Sequence, residues 1–382
     1  MDGAVWPECF AQISDRIMDV FFRFGEGVAE SSPEPQKLFK LLEMSAAAVR
    51  LRPAIFLLFD DAAPDISSRF RELQKLLVQA ASRAFSALEI LTDPSPPPPD
   101  ASVPGVVRYI VNFLKCLVSE AYAPAMAHVL RTESLWKAGF LSRPEPDGSL
   151  LREALARVLE ALQQIVEAKR DRYRDRVAAQ LFAMNSYWYM YMRTRGSELA
   201  KIVGEEDMKK EYKAATEEAA YAYQVEAWAP VVRLLQVEAG RETGEVAWVV
   251  ARGKFEAFVR EMEEGFKRHR LGGYKIPEKD LREQIREAVV GMVVPAYAGF
   301  LHTYSVALQG RVFPPPDALK EKFGRLFDGG GGLVKAREVA DPEPVPEEVD
   351  TPGGVRLRAR RRMELIRSRD AAERGFFSPD EI

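Results

Sequence analysis

Few residue types in this chain could serve as nucleophile, general base or metal ligand, so their spacing is the first thing to read. His128, His269 and His302 are the only histidines, and Cys9 and Cys116 the only cysteines. No His-x-x-x-His, Cys-x-x-Cys or Cys–His spacing joins them, so neither a zinc site nor a thiol–imidazole pair is indicated. Histidines this far apart read as surface or helix-packing side chains. No Gly-x-Ser-x-Gly elbow occurs. The glycine run 329–332 follows a helical segment where a phosphate loop would open one, and no Gly-Lys-Ser or Gly-Lys-Thr completes it. It reads as a helix stop and linker.

Two acidic groups, Glu205-Glu206-Asp207 and Glu217-Glu218, raise the idea of carboxylate catalysis. A first helical turn favoured by the macrodipole accounts for one, and a solvated helix face for the other. The aromatic run Tyr187-Trp188-Tyr189-Met190-Tyr191-Met192 resembles a base-stacking platform in composition only. It sits in an apolar helical stretch, 177–192, and reads as core. No catalytic residue, metal or cofactor is assigned, and the chain is read as a non-enzyme.

The elements that carry these residues come next. The chain has 382 residues, 47% hydrophobic and 29% charged, which is more than one core of ordinary size absorbs. Its 54 basic and 57 acidic residues leave a formal charge of -3. A global basic field is therefore absent, and no nucleic-acid partner is expected. No stretch of eighteen apolar residues occurs, and the N-terminus lacks a basic region followed by an apolar core. Two distant cysteines suit a reducing compartment. The expectation is a cytosolic chain, or one held on a membrane from the cytosolic side.

Helical periodicity dominates. Trp228, Val231, Val232 and Leu235 form an i, i+3, i+4, i+7 stripe, and so do Leu281, Ile285, Ala288, Val289 and Met292. A third stripe runs through Leu73, Leu77, Ala80, Ala84 and Leu88. Breakers fall at residues 31–35, at the proline run 93–100, at 139–149 with Ser149 as a helix N-cap, and at Gly272-Gly273 with Pro277. Pro295 is expected to begin or kink a helix at Val294. The last folded helix is expected over 317–328. The fold class is all-α, with helical bundles over 1–100, 101–270 and 271–329. Residues 330–382 are expected to form a disordered tail, acidic and proline-rich at first, with a basic segment at 356–369.

Several stretches, taken in order, resemble the seventy-kilodalton exocyst subunit family in its plant form. Glu8-Cys9-Phe10 and the segment from Lys37 to Met44 resemble the family's "ECF…KLFRLLDMYE". Val106-Val107-Arg108-Tyr109-Ile110-Val111-Asn112-Phe113-Leu114 is similar to "TRYVMNYL". Gln180 to Tyr189 is similar to "IFLMNNGRYI", Ser197 to Gly204 to "SELGTLLG", and Tyr223-Gln224-Val225-Glu226-Ala227-Trp228 to "YQRSSW". Pro295-Ala296-Tyr297-Ala298-Gly299-Phe300 resembles "VIPAYRAFL", and Arg325-Leu326-Phe327-Asp328-Gly329 the terminal "LFEG". The matches are colinear from residue 8 to residue 329.

The resemblance implies an elongated rod of stacked antiparallel helical bundles. It also implies a role in tethering secretory vesicles at the plasma membrane during exocytosis, peripheral to that membrane or to the vesicle. The implied partners are other exocyst subunits and phosphatidylinositol 4,5-bisphosphate or another anionic lipid, with small GTPases and pathogen effectors as further candidates. A second reading is a diverged plant paralogue acting as an immune or effector-binding adaptor outside the full exocyst. The family's N-terminal helical region has no match here, and 330–382 extends past the family's usual end. Where the family carries lysines in "KYIKY", this chain reads Gly310-Arg311-Val312-Phe313-Pro314, and Arg311 alone keeps a positive charge.

Anionic-lipid contact needs clustered cations, because each Lys or Arg near an acidic leaflet contributes about 1 kcal/mol. The best cluster is Lys267, Arg268 and Arg270, with Lys275 and Lys279 around the following turn. Arg311, Lys320 and Lys322 would adjoin it if the last helices fold back. The alternative is a solvated helix end whose cations complement the C-terminal dipole.

Overall fold

The computed structural model describes residues 5–59, 63–138, 147–236, 245–305 and 313–328. Residues 1–329 form one compact unit and 330–382 a second. The second, with the expected tail and its basic segment, lies outside the described residues, as do Arg311 and the glycine run.

Among the described residues all regular structure is helical. The elements are α1 (Val5–Glu30), α2 (Leu38–Phe59), α3 (Pro64–Glu89), α4 (Gly105–Leu117), α5 (Ala123–Ala138), α6 (Asp147–Arg170) and α7 (Arg176–Thr194). They continue as α8 (Glu198–Val203), α9 (Glu205–Ala227), α10 (Ala229–Arg233), α11 (Glu245–Gly272), α12 (Lys279–Thr303) and α13 (Pro316–Gly324). Most helices pack on those near them in sequence: α1 and α2 on α3, α3 on α5 and α6, α7 on α9, and α12 on α13.

Each packing face follows from the apolar spacing. In α3, Phe70, Leu73, Leu77, Ala81, Phe85 and Leu88 are buried along one face. Gly25 of α1 lies so close to that face that a Cβ would come within 2.7 Å of the Leu73 side chain. Arg69 of α3 then ties the two helices, donating to Glu26 through Nε at 2.9 Å and to Asp19 at 2.7 Å. Helices α7 and α9 run antiparallel. Arg176 at the start of α7 reaches Glu226 near the end of α9 at 3.4 Å, while Tyr187 stacks on Tyr212 midway. Tyr187 and Met190 are buried while Trp188, Tyr189, Tyr191 and Met192 are half-buried, so the aromatic run packs as core only in part. Glu205, Glu206 and Asp207 form the first turn of α9, and Glu217 and Glu218 are exposed.

Three local expectations are corrected. Helix α12 continues through Pro295, so no new helix begins there. Pro295 and Gly291, the residue four places earlier, both lie on the exposed side, where water can take over the lost backbone bond. Helix α6 starts at Asp147, so Ser149 belongs to its first turn and is not the cap. Trp228, Val231 and Leu235 of the stripe are buried and Val232 is half-buried, but the helix there is the single short turn α10, led by Pro230.

The connection from α3 to α4 is an anchored strap. Lys169, almost wholly buried near the end of α6, donates from Nζ to the Ser95 carbonyl at 2.8 Å and to Ser95 Oγ at 2.9 Å. It also pairs with Asp93 at 3.1 Å. Arg172 donates to the carbonyls of Ser95 and Pro94, and Tyr173 to that of Pro98. At the far end, buried Asn185 donates to the carbonyls of Ala101 and Lys275, each at 2.9 Å.

Candidate functional surface

The cationic cluster read from the sequence sits where α11 ends, and a buried hydrogen-bonded chain holds that end in place. The indole N–H of Trp228 donates to the Tyr223 hydroxyl at 3.0 Å. That hydroxyl lies 2.8 Å from Nε2 of His269, whose Nδ1 lies 2.8 Å from the Gly265 carbonyl. Since a carbonyl only accepts, Nδ1 carries the proton and Nε2 accepts from the tyrosine. Each polar atom of the chain is thereby satisfied with the imidazole neutral. Burial pushes the His269 pKa down, and it outweighs the opposing Gly265 bond. The same burial pushes the Tyr223 hydroxyl well above its ordinary value.

Aromatic rings enclose this chain. Trp228 lies nearly parallel to His269 at 5.4 Å, and Phe323 of α13 meets Trp228 edge-on at 5.0 Å. Phe327 packs on His269 at 5.6 Å and on Tyr223 at 6.0 Å. The last helix is therefore docked on α11 through the same hub. A side chain at Gly265 would crowd the hub, since a Cβ would lie 3.1 Å from the Trp228 ring and the ring would have to give by a few tenths of an ångström.

The docking brings Lys322 of α13 to α11, where it pairs with Glu263 and lies over the Phe266 ring at 5.2 Å. Lys267 pairs with Glu264 at 3.4 Å, and Lys279 with Glu283 at 3.8 Å. Acidic neighbours thus take up part of the charge of three cluster members. Arg268, Arg270, Lys275 and Lys320 are exposed and have no acidic partner within ion-pair distance among the described residues. Arg268 is near enough to Tyr274 to act on its hydroxyl electrostatically. Asn185 donates to the Lys275 carbonyl and so fixes the backbone of the turn that carries this lysine. Among the described residues no ion pair or hydrogen bond brings Lys320 to the others, and Arg311 lies outside the described residues.

Two arginines of α12, absent from the cluster expected on sequence grounds, complete the corner. Arg286 donates from Nε to the Leu326 carbonyl at 2.6 Å and pairs with Asp328. Arg282 donates to the Ile276 carbonyl at 3.2 Å. Both hold backbone, and their four-residue spacing on one helix face is the sequence signal that points to them. His128 and His302 are exposed, whereas His269 is the helix-packing histidine. Among the described residues no group of His, Cys, Asp or Glu is arranged to hold a metal ion, and no helix is long and apolar enough to cross a membrane.

A second kind of surface lies on the first helices. Ile13, Ile17, Val20 and Phe24 recur at helical spacing on the outer side of α1 and are exposed. Leu57 and Leu58 are exposed at the end of α2. Apolar side chains aligned in this way mark interaction surfaces more often than scattered ones do.

Comparison with known proteins agrees with the colinear motifs. A family model for the C-terminal region of the Exo70 exocyst complex subunit matches residues 1–322. Exocyst complex component EXO70I of Medicago truncatula is 44% identical over 344 residues, covering 86% of this chain and 48% of that protein. EXO70A1 of Arabidopsis thaliana is 26% identical, covering 84% and 52%. Solved Exo70 from S. cerevisiae aligns with 13% identity and a TM-score of 0.47, over 85% of this chain and 65% of that one. The chain spans about half the length of the curated relatives it matches.

Proposed function

This chain belongs to the Exo70 exocyst subunit family, and from that premise we propose that it acts as an exocyst-type tethering module, working through its outer surfaces. The family is one of structural tethering subunits and not of enzymes. The observation that carries the proposal is the 44% identity to EXO70I over most of the chain.

On this reading two surfaces share the work. The exposed apolar stripe of α1, with Leu57 and Leu58, serves assembly with other exocyst subunits. The corner formed by Arg268, Arg270 and Lys275, with Lys267 beside them, faces an anionic phosphoinositide membrane from the cytosolic side. Ion pairing of Lys267, Lys279 and Lys322 lowers the charge available, so a few cations at about 1 kcal/mol each give a weak, salt-sensitive contact.

The test reverses charge at Lys267, Arg268 and Arg270 together and measures flotation with liposomes containing phosphatidylinositol 4,5-bisphosphate. Loss of flotation is expected, and unchanged flotation removes the lipid surface from the proposal. Affinity purification from native tissue decides the wider role. Recovery of other exocyst subunits supports tethering, and their absence favours an adaptor working outside the complex.

A further inference from the structure

We propose that Ser95 is a phosphorylation site for a proline-directed protein kinase, and that Lys169 and Arg172 form a cradle for the phosphate. The inference does not depend on the tethering role. It comes from the strap between α3 and α4, whose proline run the proposed function leaves unexplained. Pro94, Ser95 and Pro96 are three consecutive exposed residues outside any helix. Pro96 follows the serine directly, so the residue after the hydroxyl has no backbone N–H that needs a partner. A kinase cleft that reads Ser-Pro takes a segment of this type.

The surroundings of the hydroxyl are the second observation. Ser95 Oγ already lies 2.9 Å from the buried Lys169 ammonium. The Ser95 carbonyl accepts from Lys169 and from Arg172, each at 2.8 Å. Asp93, at 3.1 Å from Lys169, also accepts from the Ser95 backbone N–H at 3.0 Å and is the acid that a phosphate has to displace, while Arg172 donates only to carbonyls of the strap. Two cations and one carboxylate leave the spot with a surplus positive charge. A phosphate carrying about -1.5 to -2 charge takes the place of Asp93 at Lys169 and gains a bidentate-capable guanidinium at its edge.

The chemistry is ordinary phosphoryl transfer. Ser95 Oγ attacks the γ-phosphorus of kinase-bound ATP, and the bond from that phosphorus to the bridging oxygen breaks. ADP leaves, and the hydroxyl proton passes to the kinase's catalytic carboxylate. The product tightens the strap on the junction of α6 and α7.

The experiment treats the full chain with a purified proline-directed kinase and Mg-ATP, maps phosphate by mass spectrometry, and compares thermal unfolding before and after. Ser32-Pro33, Thr351-Pro352 and Ser378-Pro379 are the other Ser/Thr-Pro pairs and act as internal controls. Ser95→Ala, treated identically, subtracts their effect. Phosphate on Ser95 is expected, with Tm raised by about 2 °C relative to the Ser95→Ala pair and about half that rise in Arg172→Gln. A Ser95 left unmodified while another Ser/Thr-Pro site is filled overturns the site. A modified Ser95 with Tm unchanged or lowered overturns the cradle.

Discussion

The Tyr223 hydroxyl and Nε2 of His269 stand 2.8 Å apart in the interior, and the hydroxyl is the donor. The order of protons along Trp228, Tyr223, His269 and Gly265 allows one protonation state of the imidazole. A second proton on Nε2 would point at the tyrosine oxygen and leave the tyrosine proton without an acceptor. Buried polar groups stripped of a partner cost about 1–3 kcal/mol.

Stability should therefore fall on mild acidification. His269 has its folded pKa below the unfolded value near 6.5. A depressed histidine is neutral in the fold but takes up a proton when unfolded. Its contribution is fully present above about pH 6.5 and is lost as pH falls through the folded pKa. Arg268 adds to the depression, while Asp175 opposes it. Thermal unfolding followed from pH 7.5 to 5 should show Tm declining in the native sequence. A His269→Phe chain, though less stable at pH 7.5, should show a flatter profile over that range. Parallel profiles for the two chains would show that another group titrates.

Gly265→Ala should destabilise the corner by about 1–3 kcal/mol, the usual range for overpacking. The added methyl meets the Trp228 ring at 3.1 Å, and the ring is held by its bond to Tyr223 and by Phe323. Gly253, on the same helix, has open space around its Cβ position. Gly253→Ala should be neutral or slightly stabilising, since alanine is the better helix former by about 1 kcal/mol. Denaturant midpoints of the two variants give the comparison, and equal midpoints would remove the close-packing argument.

Most of this architecture is legible in the chain, because apolar spacing reports which helix face is buried whatever it packs against. The stripes of α3 and α12 are of that kind. Pro295 misleads because proline disfavours a helix interior only where the lost bond cannot be replaced, and exposure cannot be read from one residue. The corner is half legible. Clustered cations show in sequence, but their partners Glu263 and Glu283 become partners only through helix register and the docking of α13. The role of His269 is hidden for the same reason. Its hydroxyl partner lies 46 residues earlier, and no local pattern links them.

Lys169→Met should lower stability by about 3 kcal/mol or more, the size expected when one member of a buried ion pair is removed. The side chain of Asp93 keeps only 17% of its exposure and would remain charged beside an apolar neighbour. The Lys169 and Ser95 hydrogen bonds hold the Asp93 carboxyl below its ordinary pKa despite the burial that pushes it up. Asp93→Asn paired with Lys169→Met should recover part of the loss. A double-mutant cycle by urea unfolding measures the coupling, and strictly additive effects would mean the pair does not hold the strap.

Arg69→Met should free α1 while leaving the rest of the unit folded. The arginine bridges Asp19 and Glu26 on one helix face and lies over the Phe22 ring at 5.0 Å, and among the described residues the Arg83 bond to the Ala29 carbonyl adds to this polar contact between α1 and α3. Its hydrogen bonds are the main reason both carboxyls sit below their ordinary pKa. For such acids the stabilisation is present above the unfolded pKa of about 4 and is lost as pH falls through the folded value. Solvent reaches all three side chains, so salt should weaken the bridge as well. Hydrogen exchange resolved along the chain provides the measurement. Amides of α1 should exchange faster in the variant, and in the native sequence only on acidification below about pH 4 or at high salt. If exchange in α7 and α9 rises by the same factor, the variant has unfolded globally and Arg69 is not a local tie.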